Sequence, residues 1–401
     1  MRKTLADDGC ARLVRGQIVA AAARREPQQI PAVSYALSRA RAGYIPVQLL
    51  ASRQAYVHGA RHRLPHRRAG GYSMVPPGLT APAARRCRAG SSAVKLPAII
   101  TREDLPMDIV PLGPGFAAEL RGVTLTDIAS DDTAYAAARA AFEEHSVLVL
   151  RDQEVTDEIQ LAFSRRFGPP EVTKVGSQGT GSHFVILSTI GPDGKVVPAD
   201  HRLSLRSKAN QLWHTDSSFK RVPALTSILS ARVIPARGGE TEYVSTRLAF
   251  ERLDAGLRKR LENSFAWHDY AHSRSQIAAD LATPEERAAL PPQCWRMVWK
   301  NPVNGRGAVY LASHAYAIEG MEAAAGKKLI DELMEAATAP GTSYLHQWRR
   351  GDVVMWDNRA TMHRGRPWPA HEARLMVRTT ISATEADGVA TMRLPSSQAA
   401  E

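Results

Sequence analysis

The sequence predicts a mostly β domain with flanking helices, in which an antiparallel β core is covered by helical segments. Short runs of branched and aromatic residues, such as "SVLVLR", "FVILST" and "RLMVRTTIS", indicate strands. Helical patterns lie between them, without an internal repeat. No uncharged apolar run reaches the 18 residues that a membrane span needs, so we expect no membrane partner.

The elements follow in order from about residue 107. The alanine-rich stretch 131–146 predicts a helix, and "TDEIQLAFSRRFG" predicts a second one, with Thr156 or Asp157 as its N-cap and Gly168 after its end. "LTSILSARVI" and "GETEYVS" predict a pair of strands, and "DVVMWD" and "RLMVRTTIS" predict two closing strands. Two further helices are expected near 247–264 and 324–338.

Residues 1–95 differ from the rest in charge. They hold 17 Lys and Arg but 3 Asp and Glu, so the other 306 residues, with 35 basic and 37 acidic side chains, are almost neutral. The basic segment is rich in Arg, Ala, Gly and Pro and lacks periodicity. It fits a basic arm for nucleic acid, a transit peptide, or an extension before a true start at Met74 or Met107. We favour the extension, and we expect no nucleic-acid partner.

The three cysteines, Cys10, Cys87 and Cys294, have no spacing typical of a disulfide framework or a metal site. A reducing compartment suits such a chain, because disulfides persist mainly in oxidising ones. We therefore expect a cytoplasmic protein.

The segment "NQLWHTDSSF" places His214 and Asp216 two positions apart. On a strand, positions i and i+2 face the same side, so an imidazole and a carboxylate could meet at one point. Alone, this spacing also fits an ordinary hydrogen-bonded pair. His363, in "WDNRATMHRG", is the best candidate for a third ligand. Two histidines and one carboxylate on one face of a metal are typical of non-haem Fe(II) oxygenases.

Two arginines follow His363 in "ARLMVRTTIS". As a strand, this segment places Arg374 and Arg378 on one face, about 13 Å apart. Arginine binds carboxylates in a bidentate manner, which fixes their orientation. Two arginines beside a metal therefore predict two anionic ligands, although an exposed edge strand is the alternative.

The segments "NQLWHTDSSF", "PARGGETEY", "GDVVMWDNRATMHRG" and "ARLMVRTTI" together resemble the taurine / 2,4-dichlorophenoxyacetate dioxygenase (TauD/TfdA) family. The similarity covers about residues 105–385 and is strongest to the 2,4-dichlorophenoxyacetate branch. The resemblance implies a double-stranded β-helix (jelly-roll) core in a catalytic domain, which we place at 99–390. Residues 1–98 are then a basic, disordered extension, and 391–401 a flexible tail.

The resemblance also implies the cofactors and the roles of the site residues. Ferrous iron, 2-oxoglutarate and O2 are expected. The implied roles are iron ligation by His214, Asp216 and His363, binding of the far carboxylate of 2-oxoglutarate by Arg374 with help from Thr241, and contact with the substrate by Arg378 and Asn210.

The implied reaction hydroxylates a small anionic substrate, an aryloxyalkanoate, and cleaves it to a phenol and glyoxylate with release of succinate and CO2. Taurine, another sulfonate or an alkyl sulfate is the alternative substrate, because Arg378 could bind any of these anions. The family also suggests a homo-oligomer. Further side chains are candidates for the substrate pocket, with core packing or an exposed position as the alternative: Trp213, Phe219, Lys174, His268, His272 and Arg274.

Overall fold

The structure, a computed structural model, describes residues 107–395. These residues belong to the second of the two units into which the chain divides, Ser92–Glu401. The predicted N-terminal extension, residues 1–98, lies outside the described residues. The predicted boundary at 390 falls within a 3-10 helix, Val389–Met392, in which Met392 is buried. Residues 396–401 of the predicted tail are not described, and the domain limits stay a prediction.

The described residues form 15 strands and nine α-helices, with the helices interspersed among the strands. The strands are β1 (Asp108–Pro111), β2 (Ala117–Arg121), β3 (Val147–Leu150), β4 (Val185–Ser188), β5 (Ala224–Val233), β6 (Thr241–Ser245), β7 (Phe265–His268), β8 (Gln293–Arg296), β9 (Val298–Lys300), β10 (Gly307–Val309), β11 (Ala315–Ile318), β12 (Ser343–His346), β13 (Val353–Asp357), β14 (Thr361–Gly365) and β15 (Leu375–Ser382). The helices are α1 (Leu125–Ser130), α2 (Asp132–His145), α3 (Asp157–Arg166), α4 (Arg202–Ala209), α5 (Thr246–Arg252), α6 (Ala255–Glu262), α7 (Tyr270–Ser275), α8 (Pro284–Ala289) and α9 (Ala323–Ala337), with 3-10 turns at Glu385–Asp387 and Val389–Met392.

The strands of the described residues form four sheets. The largest has seven strands in the order β1-β2-β3-β13-β5-β15-β4, and a three-stranded sheet has the order β12-β6-β14. The remaining strands form a second three-stranded sheet, β11-β7-β8, and the two-stranded sheet β10-β9. The predicted pairing of "LTSILSARVI" with "GETEYVS" was wrong, because β5 pairs with β13 and β15 whereas β6 pairs with β12 and β14. One pair, β2 with β3, is parallel, so the core is mixed rather than purely antiparallel.

Strands β3 and β13 are buried on both faces. Val149 and Trp356 lie in an apolar cluster that also includes Tyr243 of β6, so this face packs against the three-stranded sheet β12-β6-β14. The alternate residues, such as Leu148 and Met355, join the cluster that contains helices α1 to α3. The alternation of side chains along a strand therefore explains why these segments are continuous apolar runs.

Helix α3 fixes the position of β15 from behind. Thr156 caps its N-terminus by accepting from the amide of Ile159, as its sequence predicts. The side chain of Gln160 donates to the carbonyl of Val377 at 3.1 Å, and the Ser164 and Thr379 hydroxyls share a hydrogen bond of 2.6 Å. Odd-numbered residues of β15 thus face the helix, and its even-numbered residues point away from it.

Other predicted elements differ mainly in their ends. The helical run predicted near 247–264 comprises two helices, α5 and α6, because Leu253 leaves the helical conformation and Asp254 caps the second helix. The helix predicted near 324–338 is α9, which packs its apolar face on β11. Within residues 107–395, no helix has the length and apolar character required to cross a bilayer.

Candidate metal centre

His214 and His363 face each other across a single antiparallel backbone bridge. The amide of His214 donates to the carbonyl of His363 at 3.0 Å, and the reverse bond measures 2.8 Å. His363 lies on β14, a strand that the sequence pattern did not predict. The expectation that His214 and Asp216 share a strand was also wrong, because Asp216 lies in a turn that continues through Ser217 at φ 56°. The turn brings the carboxylate beside the two imidazoles.

The three side chains converge in the protein interior. One potential ligand atom from each of His214, Asp216 and His363 lies within 4.8 Å of the others, and all three residues are buried. Nδ1 of His214 donates to the carbonyl of Leu212 at 2.7 Å, which leaves its Nε2 as the free nitrogen. Nδ1 of His363 is buried without a hydrogen-bond partner among the described residues. Its other ring nitrogen, Nε2, faces the cluster and lies 3.7 Å from Oδ2 of Asp216, too far for a hydrogen bond but close enough for both atoms to share a ligand.

The electrostatics of this cluster favour a metal-binding form. Burial lowers the pKa of both His214 and His363, so both imidazoles are neutral at pH 7. Burial alone would raise the pKa of Asp216, but the positive charge of Arg378 and the hydrogen bond from Ser227 outweigh it, so the pKa lies below its usual value. Two neutral imidazoles and a carboxylate are the protonation states that divalent metal binding requires.

The side chain of Asn358 holds the carboxylate in place. Its Oδ1 accepts from the amide of Asp216 and from Nε1 of Trp356, each at 3.0 Å. The hydroxyl of Ser227 donates to Oδ2 of Asp216 at 2.7 Å and accepts from Nδ2 of Asn358 at 3.2 Å. The segment "WDNR" does not by itself indicate this role for Asn358.

His214, Asp216 and His363 line a cavity that we call the central cavity, and Arg374 and Thr241 line it as well. Arg374 is buried, and one of its Nη atoms donates to the carbonyl of Gly239 at 3.2 Å, whereas its Nε has no partner among the described residues. Burial lowers its pKa to about 10, so it stays positively charged at neutral pH. Its guanidinium stacks on Trp368, and the hydroxyl of Thr241 accepts from Nε1 of Trp348 at 3.0 Å.

Arg378 and Asn210 also line the central cavity. Arg378 lies on β15, whereas Arg374 immediately precedes that strand, and both side chains line the cavity. The guanidinium of Arg378 forms an ion pair with Asp216. Asn210 follows the end of α4, and its carbonyl accepts from the amide of Gly365 at 2.9 Å. The structure therefore places every predicted site residue at one cavity, while their roles stay predictions.

One side of the central cavity, which we call the helical wall, is lined by Lys174, by Arg206 of α4 and by Tyr270 and Arg274 of α7. Lys174 and Arg274 are predicted pocket candidates. Behind these side chains lies Glu286 of α8, a buried residue that the sequence did not indicate, whose Oε1 accepts from Lys174 at 2.7 Å, Arg206 at 3.1 Å and the hydroxyl of Tyr270 at 3.2 Å. Arg274 lies over the ring of Tyr270, 4.6 Å from its centroid. The sequence offers no motif here, because these groups come from separate helices and loops.

Two of the further pocket candidates prove to be packing residues. His268 is fully buried, outside the residues that line the cavity, and burial lowers its pKa to about 3. It therefore neither reaches the cavity nor lies at the surface. Trp213 packs against the guanidinium of Arg364, 4.4 Å from the ring centroid, and is also absent from the cavity lining.

The central cavity has an apolar side as well. In the register of β15 with β4, Arg378 pairs with Val185 and Met376 pairs with Leu187. Paired residues point to the same face of a sheet, so both apolar side chains of β4 point to the cavity face. Phe219, which also lines the cavity, packs against Tyr270 at 5.0 Å between ring centroids. The cavity thus combines apolar surface with several charged groups.

Comparison with known proteins identifies one family that matches most of the described residues. Residues 108–380 match the model of the family described as taurine catabolism dioxygenase TauD, TfdA family. The chain is 37% identical over 275 residues to the alpha-ketoglutarate-dependent 2,4-dichlorophenoxyacetate dioxygenase of Cupriavidus pinatubonensis, covering 67% of this chain and 96% of that protein. It is 34% identical to the (S)-phenoxypropionate/alpha-ketoglutarate-dioxygenase of Sphingobium herbicidovorans, covering 71% and 97%.

A solved structure extends the comparison to the fold. The crystal structure of AAD-2 in complex with Mn(II) and N-oxalylglycine aligns with a TM-score of 0.64 and 36% sequence identity. The alignment covers 70% of this chain and 100% of that one. The chain described here belongs to the TauD/TfdA family of dioxygenases.

Proposed function

We propose that this protein is a 2-oxoglutarate-dependent non-haem iron dioxygenase that hydroxylates an aryloxyalkanoate. The observation that carries this proposal is the buried cluster of His214, Asp216 and His363 at a cavity that also holds the buried cation Arg374. The family relatives that act on 2,4-dichlorophenoxyacetate and (S)-phenoxypropionate support the substrate class.

The residues present fit Fe(II). Two neutral imidazoles and one carboxylate form the facial set that non-haem iron uses, and Nε2 of His363 lies 3.7 Å from Oδ2 of Asp216, a spacing that a shared metal ion can bridge. Bound iron would supply the activation of O2 and the oxidative decarboxylation of 2-oxoglutarate to succinate and CO2. The protein would supply a fixed carboxylate, because Asn358 and Ser227 hold Asp216 in one orientation.

Arg374 and Thr241 would bind the far carboxylate of 2-oxoglutarate. Arg374 is charged, buried and without a carboxylate within ion-pair distance in the described part of the chain. A charge buried in this way is costly unless an anion neutralises it, so it favours an anionic ligand. The hydroxyl of Thr241, fixed by Trp348, can donate a second hydrogen bond. These contacts would orient the co-substrate.

The aryl ring would lie on the apolar side of the cavity, beside Val185, Leu187 and Phe219. Arg378 is the predicted contact for the anionic group, and Asn210 is a second polar contact. Hydroxylation of the carbon between the ether oxygen and the carboxylate gives a hemiacetal, which collapses to a phenol and glyoxylate. The protein's part in this step is to hold that carbon nearest the metal site.

The proposal is tested by product analysis. Protein loaded anaerobically with Fe(II) and 2-oxoglutarate should show a weak visible charge-transfer band. On admission of air with phenoxyacetate, it should form succinate and phenol in equal amounts. Absence of both the band and succinate, over a panel of aryloxy acids, would reject the proposal.

A sulfonate such as taurine, or an alkyl sulfate, is the alternative substrate. A guanidinium binds these anions as readily as a carboxylate, so the arginines alone do not distinguish them. Release of sulfite from taurine or of sulfate from an alkyl sulfate, without phenol from phenoxyacetate, would establish the alternative.

We also infer that the core is a double-stranded β-helix, in which the seven-stranded sheet and the sheet β12-β6-β14 are the two halves. The tight packing of Tyr243 and Trp356 between these sheets supports this assignment. The catalytic domain limits of 99–390, a cytoplasmic location and a homo-oligomeric state stay predictions.

A further inference from the structure

The hydroxyl of Tyr243 is a buried polar group that no step of the proposed reaction uses. Tyr243 lies on β6, fully buried in the apolar cluster between the two sheets, and its hydroxyl has no hydrogen-bond partner among residues 107–395. Such a group costs stability. Other buried hydroxyls of the described residues, such as that of Tyr310, also lack a partner, so burial alone does not identify a site. The neighbours of Tyr243 distinguish it.

The register of β6 directs Tyr243 to the face of its sheet that carries the metal cluster. Tyr243 pairs with His363 of β14, and paired residues point to the same face. Thr241, two positions earlier on the strand, shares that face. The ring of Tyr243 stacks on the His363 imidazole, with 6.0 Å between centroids, and lies 5.6 Å from the ring of Trp356. His363, Thr241 and Trp356 line the central cavity, so Tyr243 lies directly behind its lining.

The hydroxyl of Tyr243 is also close to the two groups proposed to bind the far carboxylate of 2-oxoglutarate. Burial raises the pKa of Tyr243 well above its ordinary value, whereas the charge of Arg374 and the hydroxyl of Thr241 oppose this rise, which indicates that both lie near it. The raised pKa keeps the hydroxyl protonated at neutral pH, so it can donate a hydrogen bond.

The far carboxylate of 2-oxoglutarate can use a further donor. A carboxylate offers about four acceptor positions, and a bidentate contact with Arg374 would occupy two of them. The hydroxyl of Thr241 would occupy a third, because it already accepts from Trp348 and has one hydrogen to donate. The hydroxyl of Tyr243 is suited to the remaining position, since its hydrogen has no acceptor within the described part of the chain.

We propose that Tyr243 donates a hydrogen bond to the far carboxylate of 2-oxoglutarate, as a third group beside Arg374 and Thr241. This inference rests on the proposed function and refines it. The contact makes the site selective for 2-oxo acids that carry a second carboxylate, because any other 2-oxo acid would leave buried donors unpaired. The hydroxyl is neutral, so it strengthens and directs binding without adding a buried charge.

The test compares Tyr243→Phe with Tyr344→Phe in the full chain loaded with Mn(II), with calorimetry as the measure of 2-oxoglutarate binding. Loss of a hydrogen bond to a charged group should weaken binding to Tyr243→Phe roughly 10- to 100-fold. Its urea midpoint without 2-oxoglutarate should equal or exceed that of wild type, because the substitution removes a buried hydroxyl that has no partner.

Tyr344→Phe is the matched control. The ring of Tyr344 stacks on that of Tyr243, with 6.3 Å between centroids, but its hydroxyl shares a hydrogen bond of 3.0 Å with Nδ1 of His346. This variant should keep wild-type affinity for 2-oxoglutarate and should have a lower urea midpoint, because it leaves His346 without that partner. The two variants should therefore show opposite patterns.

A third variant separates direct contact from an effect transmitted through Thr241. Thr241→Val should weaken 2-oxoglutarate binding, and adding Tyr243→Phe to it should weaken binding again. Absence of a further loss would show that Tyr243 acts through Thr241, and it would overturn the proposed contact.

Equal affinity of wild type and Tyr243→Phe would overturn this inference and leave the proposed function intact. A urea midpoint of Tyr243→Phe below that of wild type would assign its hydroxyl a role in folding, and would also overturn the inference. Wild type that binds no 2-oxoglutarate would overturn both the inference and the proposed function.

Discussion

The two sides of the central cavity are built in different ways. The metal-facing side presents side chains from β14, β15 and the turn at Asp216, and backbone hydrogen bonds within sheets fix most of these positions. The helical wall presents Tyr270 and Arg274, together with Lys174 and Arg206, which are held through the side chain of Glu286.

This difference separates the residues that carry out the reaction from the residues that select the substrate. Backbone pairing positions the metal-facing groups within narrow limits, as ligation and co-substrate binding demand. The helical wall depends on a few side-chain contacts, so single substitutions can reshape it without moving the strands. We therefore expect changes on the metal-facing side to abolish the reaction, and changes on the helical wall to alter which substrates bind. The following predictions test this separation.

The largest effect is expected from Asp216→Ala. It removes the anionic ligand and leaves Arg378 without its ion-pair partner. Fe(II) binding should be lost, and succinate formation should fall by at least about 1,000-fold, because a carboxylate ligand is essential to this type of metal site. Metal content after desalting and coupled assays of succinate give the two readouts.

The control for this variant is His371→Gln, which changes an exposed histidine outside the cavity. It should retain wild-type metal content and activity. Stoichiometric Fe(II) in Asp216→Ala would show that this carboxylate is not a ligand. The metal-facing side would then not be the part of the cavity that controls metal binding.

Arg374→Gln should have the next largest effect. Loss of one charge-assisted contact of about 1.5–3 kcal/mol should raise the KM for 2-oxoglutarate roughly 10- to 100-fold. Fe(II) binding should stay unchanged, because no atom of Arg374 belongs to the His-Asp-His cluster. Titration of the charge-transfer band with 2-oxoglutarate measures the affinity directly. An unchanged affinity, with a raised KM for the aryloxy acid instead, would show that Arg374 serves the substrate.

Asn358→Ala tests whether the hydrogen bonds that hold Asp216 in place affect Fe(II) affinity. It removes the amide that accepts from the backbone of Asp216 and from Trp356, so two buried donors lose their partner. We expect a loss of about 1–3 kcal/mol in the free energy of unfolding and a roughly 10-fold weaker Fe(II) affinity. Urea unfolding and metal titration measure these quantities. Wild-type Fe(II) affinity despite lowered stability would limit Asn358 to a packing role.

Glu286→Gln should produce the smallest effect and should act on the helical wall alone. Lys174 and Arg206 lose a charged partner but can reach water, so we expect a cost of about 1–2 kcal/mol in the free energy of unfolding. The KM for the aryloxy acid should rise several-fold, while the 2-oxoglutarate affinity should stay within about two-fold of wild type. A raised KM for 2-oxoglutarate would show that the helical wall also affects co-substrate binding, so the two sides of the cavity would not act independently.

The stability effect of Glu286 should depend on pH with a definite sign. Burial alone raises its pKa, but hydrogen bonds and the charges of Lys174 and Arg206 lower it below the ordinary value of 4.5. A folded-state pKa below the unfolded one stabilises the protein above about pH 4.5, and this contribution is lost as the pH falls through the folded-state value. Urea unfolding should therefore show a wild-type advantage over Glu286→Gln at pH 7 that shrinks below pH 4.5. An advantage independent of pH would contradict this origin.

The sequence predicts the metal-facing side well because its residues lie in short motifs. "NQLWHTDSSF" and "WDNRATMHRG" contain the three cluster residues, and Arg374 and Arg378 of "ARLMVRTTIS" line one cavity, although Arg374 precedes the strand on which the prediction placed it. Apolar periodicity also locates most strands. It does not identify their partners, which is why β5 and β6 were paired although they lie in different sheets.

The helical wall could not be predicted in this way. Glu286 lies in an ordinary helix N-terminus, "TPEE", where its side chain also accepts from the amide of Thr283. Its cations come from segments 80 and 112 residues earlier. Hydrophobic periodicity says nothing about such long-range ion pairs, because they depend on how loops pack. Arg274 could be noted as a nearby basic residue, but its position over the ring of Tyr270 emerges only from the structure.

The bridge between His214 and His363 has a wider consequence. It joins two points of the chain that are 149 residues apart. Within this interval, the segment that carries α5 to α9 leaves and re-enters the core at neighbouring strands, because β6 before it pairs with β12 after it. Changes of length or sequence within that segment would leave the backbone pairing of the two histidines in place, so a chain of this design can change its substrate pocket without rebuilding its metal site.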